Sequence, residues 1–139
     1  MGVKKYLRKI KEGPISLVRK FKVFFTQEYF RNAILLWLLI LSFLVNLTNV
    51  VSLVTLVKPV DFPIILHYNV YFGVDVLDSW EKVYIMPLIG FFLFIVNTLL
   101  GIYFYKQKER IASHVLAIAN LMVQLSLLVA SVGIILINY

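Results

Sequence analysis

The chain reads as an all-α membrane protein with three crossings, a basic arm before them and a short loop joining the first two. Three observations predict this class. The runs Asn32–Val57, Val83–Tyr105 and Ile111–Tyr139 hold 26, 23 and 29 residues without one Asp, Glu, Lys or Arg, and roughly 20 apolar residues in a helix span a hydrocarbon core of about 30 Å. Hydrophobic residues make up 61% of the 139, above the roughly 45–50% of a soluble domain; a soluble fold of this size has too little interior to hide them. The charges, finally, are segregated rather than spread.

Residues 1–31 carry nine Lys/Arg and two acids, the 58–82 loop two Lys and four acids, and the Lys106–Arg110 turn three basic residues and Glu109. Short basic flanks stay on the cytoplasmic side. The N-terminus and the 106–110 turn are therefore expected in the cytoplasm, and the 58–82 loop and C-terminus outside it, in a multi-pass protein of the plasma membrane. The net charge of +7 reads as topology and as contact with anionic lipid headgroups, not as a nucleic-acid surface. With no cysteine in the chain, disulfides, thiolate metal sites and a cysteine nucleophile are excluded.

The arm, 1–31, is interrupted by Gly13-Pro14, because Pro is favoured only at a helix start. Short helices are predicted over Val3–Lys11 and Ile15–Phe30. On the second, Ile15, Val18, Phe21, Phe25 and Tyr29 share one face at 100° per residue, the pattern of an interfacial helix; Lys22 falls inside that stripe. The plainer alternative is a solvated positive flank that happens to be helical.

The membrane domain, 32–139, follows. The crossings are predicted at about 33–57, 83–105 and 111–137. Lys58-Pro59 ends the first, Pro87 sits in the first turns of the second, and the 106–110 turn is short enough to force the last two into an antiparallel hairpin. Each crossing carries a polar stripe: Ser42, Asn46 and Asn49 on the first; Gly90, Asn97 and Gly101 on the second; Ser113, Ala117, Asn120, Gln124 and Ser131 on the third. Counting residues from the turn end places Asn97 level with Asn120, and Asn46 level with Gln124 about one turn further along. An unpaired amide in hydrocarbon costs several kcal/mol, so Asn46, Asn97, Asn120 and Gln124 are expected to pair across a helix-packing seam. A polar pathway for ions or protons is the other reading of such a stripe, but the crossings contain no ionisable side chain except His114 near one end, and such routes use ionisable groups. Three helices barely enclose a seam, so a homo-oligomer or association with other membrane proteins is expected.

The 58–82 loop is too polar and turn-rich to be a fourth crossing. Ile64–Asn69 is β-prone and Phe72-Gly73 can reverse the chain, which predicts a small hairpin with Phe62, Tyr68, Tyr71, Phe72 and Trp80 near the interface. His67 and Asn69, two apart on a strand, project to one side, with Asp61, Asp75, Asp78 and Glu81 nearby in sequence. That set lacks ligand-grade groups at metal spacing, and Ser79, the loop's one serine, lacks any recognisable nucleophile elbow. Neither a metal, a cofactor nor an enzyme active site is expected. The bland reading of His67-Tyr68-Asn69 and Gly73 is that they bond the loop's own backbone.

Pro63, His67-Tyr68-Asn69, Gly73 and Asp75, followed by Lys82 and the stretch Val83-Tyr84-Ile85-Met86-Pro87-Leu88, resemble a family of bacterial membrane proteins. That family carries a His-aromatic-Asn, Gly, Asp motif just outside its first crossing and a second crossing begun by Pro. It is a domain family of unknown function that includes the Sdp-type immunity proteins, which protect a producing cell from its own secreted toxin and take part in sensing it. The resemblance covers about residues 35–105; the interval from Asn69 to Gly73 is one residue longer than the family pattern, and Val74 stands where Pro or Ala is usual. It implies that His67, Tyr68, Asn69, Gly73 and Asp75 bind or sense a peptide or partner outside the cytoplasm. The alternative from the residues alone is an accessory subunit of a membrane assembly, acting through the amide seam and the basic arm.

Overall fold

The computed structural model describes residues 28–139. The predicted helix at 3–11, and residues 15–27 of the one predicted at 15–30 with all of its apolar face but Tyr29, lie outside the described residues. The described chain runs α1 (Glu28–Arg31), α2 (Ala33–Leu56), β1 (Ile64–Asn69), β2 (Gly73–Asp78), a 3-10 turn (Trp80–Tyr84), α3 (Ile85–Lys106) and α4 (Arg110–Asn138). It falls into two compact units that divide between Leu36 and Trp37.

In the described part of the first unit, α1 ends at Arg31 and Asn32 caps the start of α2. The Asn32 side-chain oxygen accepts from the backbone N–H groups of Ile34 and Leu35 at 3.1 and 3.2 Å, satisfying two of the donors every helix start leaves open. Tyr29 stacks edge-on against Phe30, and burial pushes its phenol up to about 12.

In the second unit, α2, α3 and α4 hold 24, 22 and 29 residues counting their full lengths, about 33–44 Å each at helical rise. All three are long and apolar enough to cross a membrane, as expected of a small multi-pass membrane protein. Their ends lie within two residues of the predicted ones, the second crossing being entered through the 3-10 turn. The distribution of side chains is the reverse of a soluble core. Large apolar residues face outward, Leu88, Phe92, Val129 and Leu136 among them at 64–77% exposure, a surface suited to lipid or to another apolar face rather than to water. Polar ones face inward: Ser42, Asn46, Asn49, Ser113, Asn120, Gln124 and Ser131 are all buried.

The buried and half-buried inward positions step by three and four: Leu39, Ser42, Asn46, Asn49 and Leu53 on α2; Pro87, Gly90, Phe94, Asn97 and Gly101 on α3; Ser113, Ala117, Asn120, Gln124, Leu127, Ser131 and Ile134 on α4. A mean step of 3.5 is the seam period of left-handed helix packing. The tight connection between α3 and α4 closes with Lys108 in the left-handed region at φ 67°. The Glu109 N–H bonds the Phe104 carbonyl and the Lys108 N–H that of Tyr105, the double bond of a Schellman cap, with lysine where glycine is usual.

At the other end of the helices sits an antiparallel hairpin, β1 against β2. The predicted β segment Ile64–Asn69 is β1. The hairpin is seated on a small apolar core of Leu53, Val57, Ile64, Val83 and Ile134, with Leu66, Trp80 and Tyr84 packed against it. Burying these groups at a helix end is what gives a two-stranded hairpin, marginal by itself, a fixed place.

Candidate functional site

Two polar constellations stand out, one buried among the helices and one on the hairpin. In the buried one, the Asn46 amide donates to the Gln124 side-chain oxygen at 2.9 Å and lies 3.1 Å from the Pro87 carbonyl. Gln124 in turn donates to the Gly90 carbonyl at 2.8 Å. All three helices meet in this layer, and Gly90 is what admits them: a Cβ there would stand 2.7 Å from Gln124 Oε1, 2.8 Å from Asn46 Nδ2 and 2.9 Å from Leu127 Cδ1.

Asn97 and Asn120 are not brought together. Asn120 donates instead to the Phe94 carbonyl at 3.4 Å, its oxygen has no partner among the described residues, and Asn97 is half-buried. Nearer the turn, the Ser113 hydroxyl donates to the Gly101 carbonyl at 3.0 Å. The dominant partner of the seam is thus the α3 backbone, whose Pro87, Gly90, Phe94 and Gly101 carbonyls receive side chains from the neighbouring helices. Matching amide against amide by depth overlooks this; the glycines on the α3 stripe were the signal, since a residue without a side chain exposes its carbonyl to a close neighbour. Asn49 is 1% exposed and neither of its amide atoms has a protein partner among the described residues.

On the hairpin, Asn69 and Gly73 build the reversal. Asn69 Oδ1 accepts from the Tyr71 N–H at 2.9 Å, and Gly73 takes φ +79°, where a side chain would be strained. The two face each other across the ladder, as do Tyr68 and Val74, and further down Ile65 and Leu77. That register sets His67 across from Asp75. The backbone distorts at this level, pairing His67 with Val76 and leaving Leu66 and Asp75 out of the ladder, a local irregularity of the kind that re-aims side chains. His67 Nδ1 and Asp75 Oδ1 then lie 2.6 Å apart, with 61% and 41% of the side chains exposed. The pair can donate, accept and carry charge toward solvent. Tyr68 is half exposed, and the tip residues Val70, Tyr71 and Phe72 are 84–90% exposed. So the structure joins His67 to Asp75 and Asn69 to Gly73, and pairs Tyr68 with Val74. Among the described residues no three His, Asp or Glu side chains converge.

Asn138 went unnoticed in the sequence. Its oxygen accepts from the Ile65 N–H at 2.8 Å and its amide donates to the Ile65 carbonyl at 2.7 Å, a side-chain amide standing where a further strand would pair. Next to it, the Tyr139 hydroxyl donates to the Lys58 carbonyl at 2.9 Å. Nothing local in the sequence marks a helix-end Asn as a strand partner; its reach to β1 exists only after folding. No family model, curated protein or solved structure matches this chain.

Proposed function

We propose that this protein sits in the plasma membrane with its N-terminus in the cytoplasm and its C-terminus outside, and that it is a non-enzymatic receptor which binds or senses an extracytoplasmic peptide or partner through the hairpin, in the manner of an immunity-like protein. One observation carries this reading. The hairpin is clamped at its base by Asn138 and the apolar core, yet presents Tyr71 and Phe72 almost wholly exposed. Rigid aromatics on a held scaffold supply contact area at low entropic cost, and beside them the His67–Asp75 pair offers polar contacts. The charge asymmetry of the loops supports the orientation, and the resemblance around His67, Asn69, Gly73 and Asp75 supports the immunity-like character.

The competing role, an accessory subunit gripping partners through the seam amides, is less well supported: Asn46 and Gln124 turn toward each other and toward α3 carbonyls within one chain.

The test uses the cysteine-free chain. A Tyr71→Cys variant in intact bacterial cells should react with a membrane-impermeant maleimide, and Lys108→Cys only after permeabilisation. A photo-crosslinker at position 71 should then give a discrete adduct that His67→Ala with Asp75→Ala abolishes, while a crosslinker at Leu99 gives none. Reversed labelling sinks the orientation; an adduct insensitive to the double substitution, or the same adduct from position 99, sinks the hairpin as the binding surface.

A further inference from the structure

The hairpin overhangs a hollow. Beneath β1 a cavity of about 220 Å³ opens between the strand and the helix ends. Residues 65–68 of β1 line one side; Met86 of α3 and Ala130, Gly133 and Ile137 of α4 are among those that line the other. A Cβ added at Gly133 would meet nothing within 4 Å, so the space is real at the scale of a side chain. Its lining is mainly apolar, with His67 and Tyr68 as its polar side chains.

We propose that this cavity is a lipid site, holding one acyl chain of a phospholipid from the adjoining leaflet. Three features select that occupant. First, depth: Ala130 lies eight residues inside the end of α4 at Asn138, about 12 Å by helical rise, so the floor of the cavity lies within the span that hydrocarbon surrounds. Second, size: small-molecule sites run to about 300–1,000 Å³, so this one takes a segment of a molecule rather than a whole one, and the stretch from Ala130 to Ile137 gives a trough about 10 Å long, suited to part of a single chain. Third, polarity: the lining that α3 and α4 supply is apolar, and the polar side chains, His67 and Tyr68, both come from β1, the order in which a phospholipid presents tail and headgroup. An apolar side chain from an incoming peptide would have to displace lipid already at this depth. The lipid fills the space under the Leu66–His67 irregularity, so occupancy supports the seat of the strand that carries His67. This site does not depend on the partner proposed above.

The experiment places the full chain in vesicles of phosphatidylethanolamine and phosphatidylglycerol that also contain a phosphatidylcholine with a diazirine in its acyl tail. After irradiation, adducts are mapped by mass spectrometry. The internal reference is the exposed apolar flank Leu44, Leu47, Val51 and Val54 of α2, which meets the same lipid. Labelling around Met86, 130–137 and 65–68 should exceed that of the flank severalfold, and Gly133→Leu, which fills the trough, should remove the excess and leave the flank unchanged. Gly133→Ala, which meets no neighbour, is the milder variant and should reduce the excess in part if the leucine prevents folding. Equal labelling of cavity and flank, indifferent to both substitutions, would mean ordinary annular lipid and overturn the site. Protection of the cavity accompanied by chain-to-chain crosslinks from position 137 would overturn it in favour of a second copy.

Discussion

The seam and the hairpin each contain one short contact between side chains, Asn46–Gln124 at 2.9 Å and His67–Asp75 at 2.6 Å, yet the shorter one is expected to matter less for stability. The difference is the alternative open to each group. His67 and Asp75 are largely exposed, so water takes up their bonds when the pair opens, and exposed pairs contribute about 0–1 kcal/mol. Asn46 and Gln124 are buried among helices whose outer faces suit lipid, where a freed amide finds no water. Contact length says little; the fate of the broken contact decides its worth.

The sharpest way to break the comparison is Gly90→Ala. Its methyl would intrude on both amides and on Leu127 at once, forcing Asn46 and Gln124 apart, and a cost of about 2–4 kcal/mol is expected from overpacking plus lost bonds, read as a fall in unfolding free energy in detergent micelles. Gln124→Leu comes next. It strips Asn46 of one acceptor and the Gly90 carbonyl of its donor, for about 1–2 kcal/mol; adding Asn46→Leu should cost less than the two single changes summed, because the orphan is removed with its partner. If these two variants unfold like the parent, the seam is not what holds the helices together.

Two smaller effects sharpen the contrast. Lys108→Gly relieves a side chain at φ 67° and should raise stability by about 1 kcal/mol, measured in the same unfolding assay. Asn49→Leu, although at a buried polar position, should lie within about 1 kcal/mol of the parent, on the stabilising side, since its amide makes no protein bond to lose. A large loss there would show that Asn49 has a partner after all. Smallest of all, His67→Ala should leave global unfolding nearly unchanged while altering backbone exchange in β1 and β2, followed by hydrogen exchange.

Much of this molecule was legible in advance because it is written locally. A crossing is a matter of length and charge within one run, and a buried stripe is a matter of spacing within one helix, so α2, α3, α4 and the positions of Ser42, Asn46, Asn120 and Gln124 could be read directly. The β-prone Ile64–Asn69 and the turn at Gly73 were equally local. Depth counting placed Asn46 beside Gln124 but also set Asn97 against Asn120, where Asn120 instead takes the Phe94 carbonyl. One turn of axial offset separates the two outcomes, and side-chain lettering does not show which backbone carbonyls a glycine uncovers.

By itself, then, the sequence determined that three helices are fit to cross a membrane, which stripe of each turns inward, and where the chain reverses, because hydrophobic length, helical period and turn chemistry act over a few neighbours. Tertiary structure alone decided that Gln124 reaches the Gly90 carbonyl, that Asn138 pairs with Ile65, and that His67 meets Asp75 across a distorted ladder. Those contacts depend on how far one helix slides along another and on where the hairpin comes to rest, quantities set by the packing of the whole and by no segment of it.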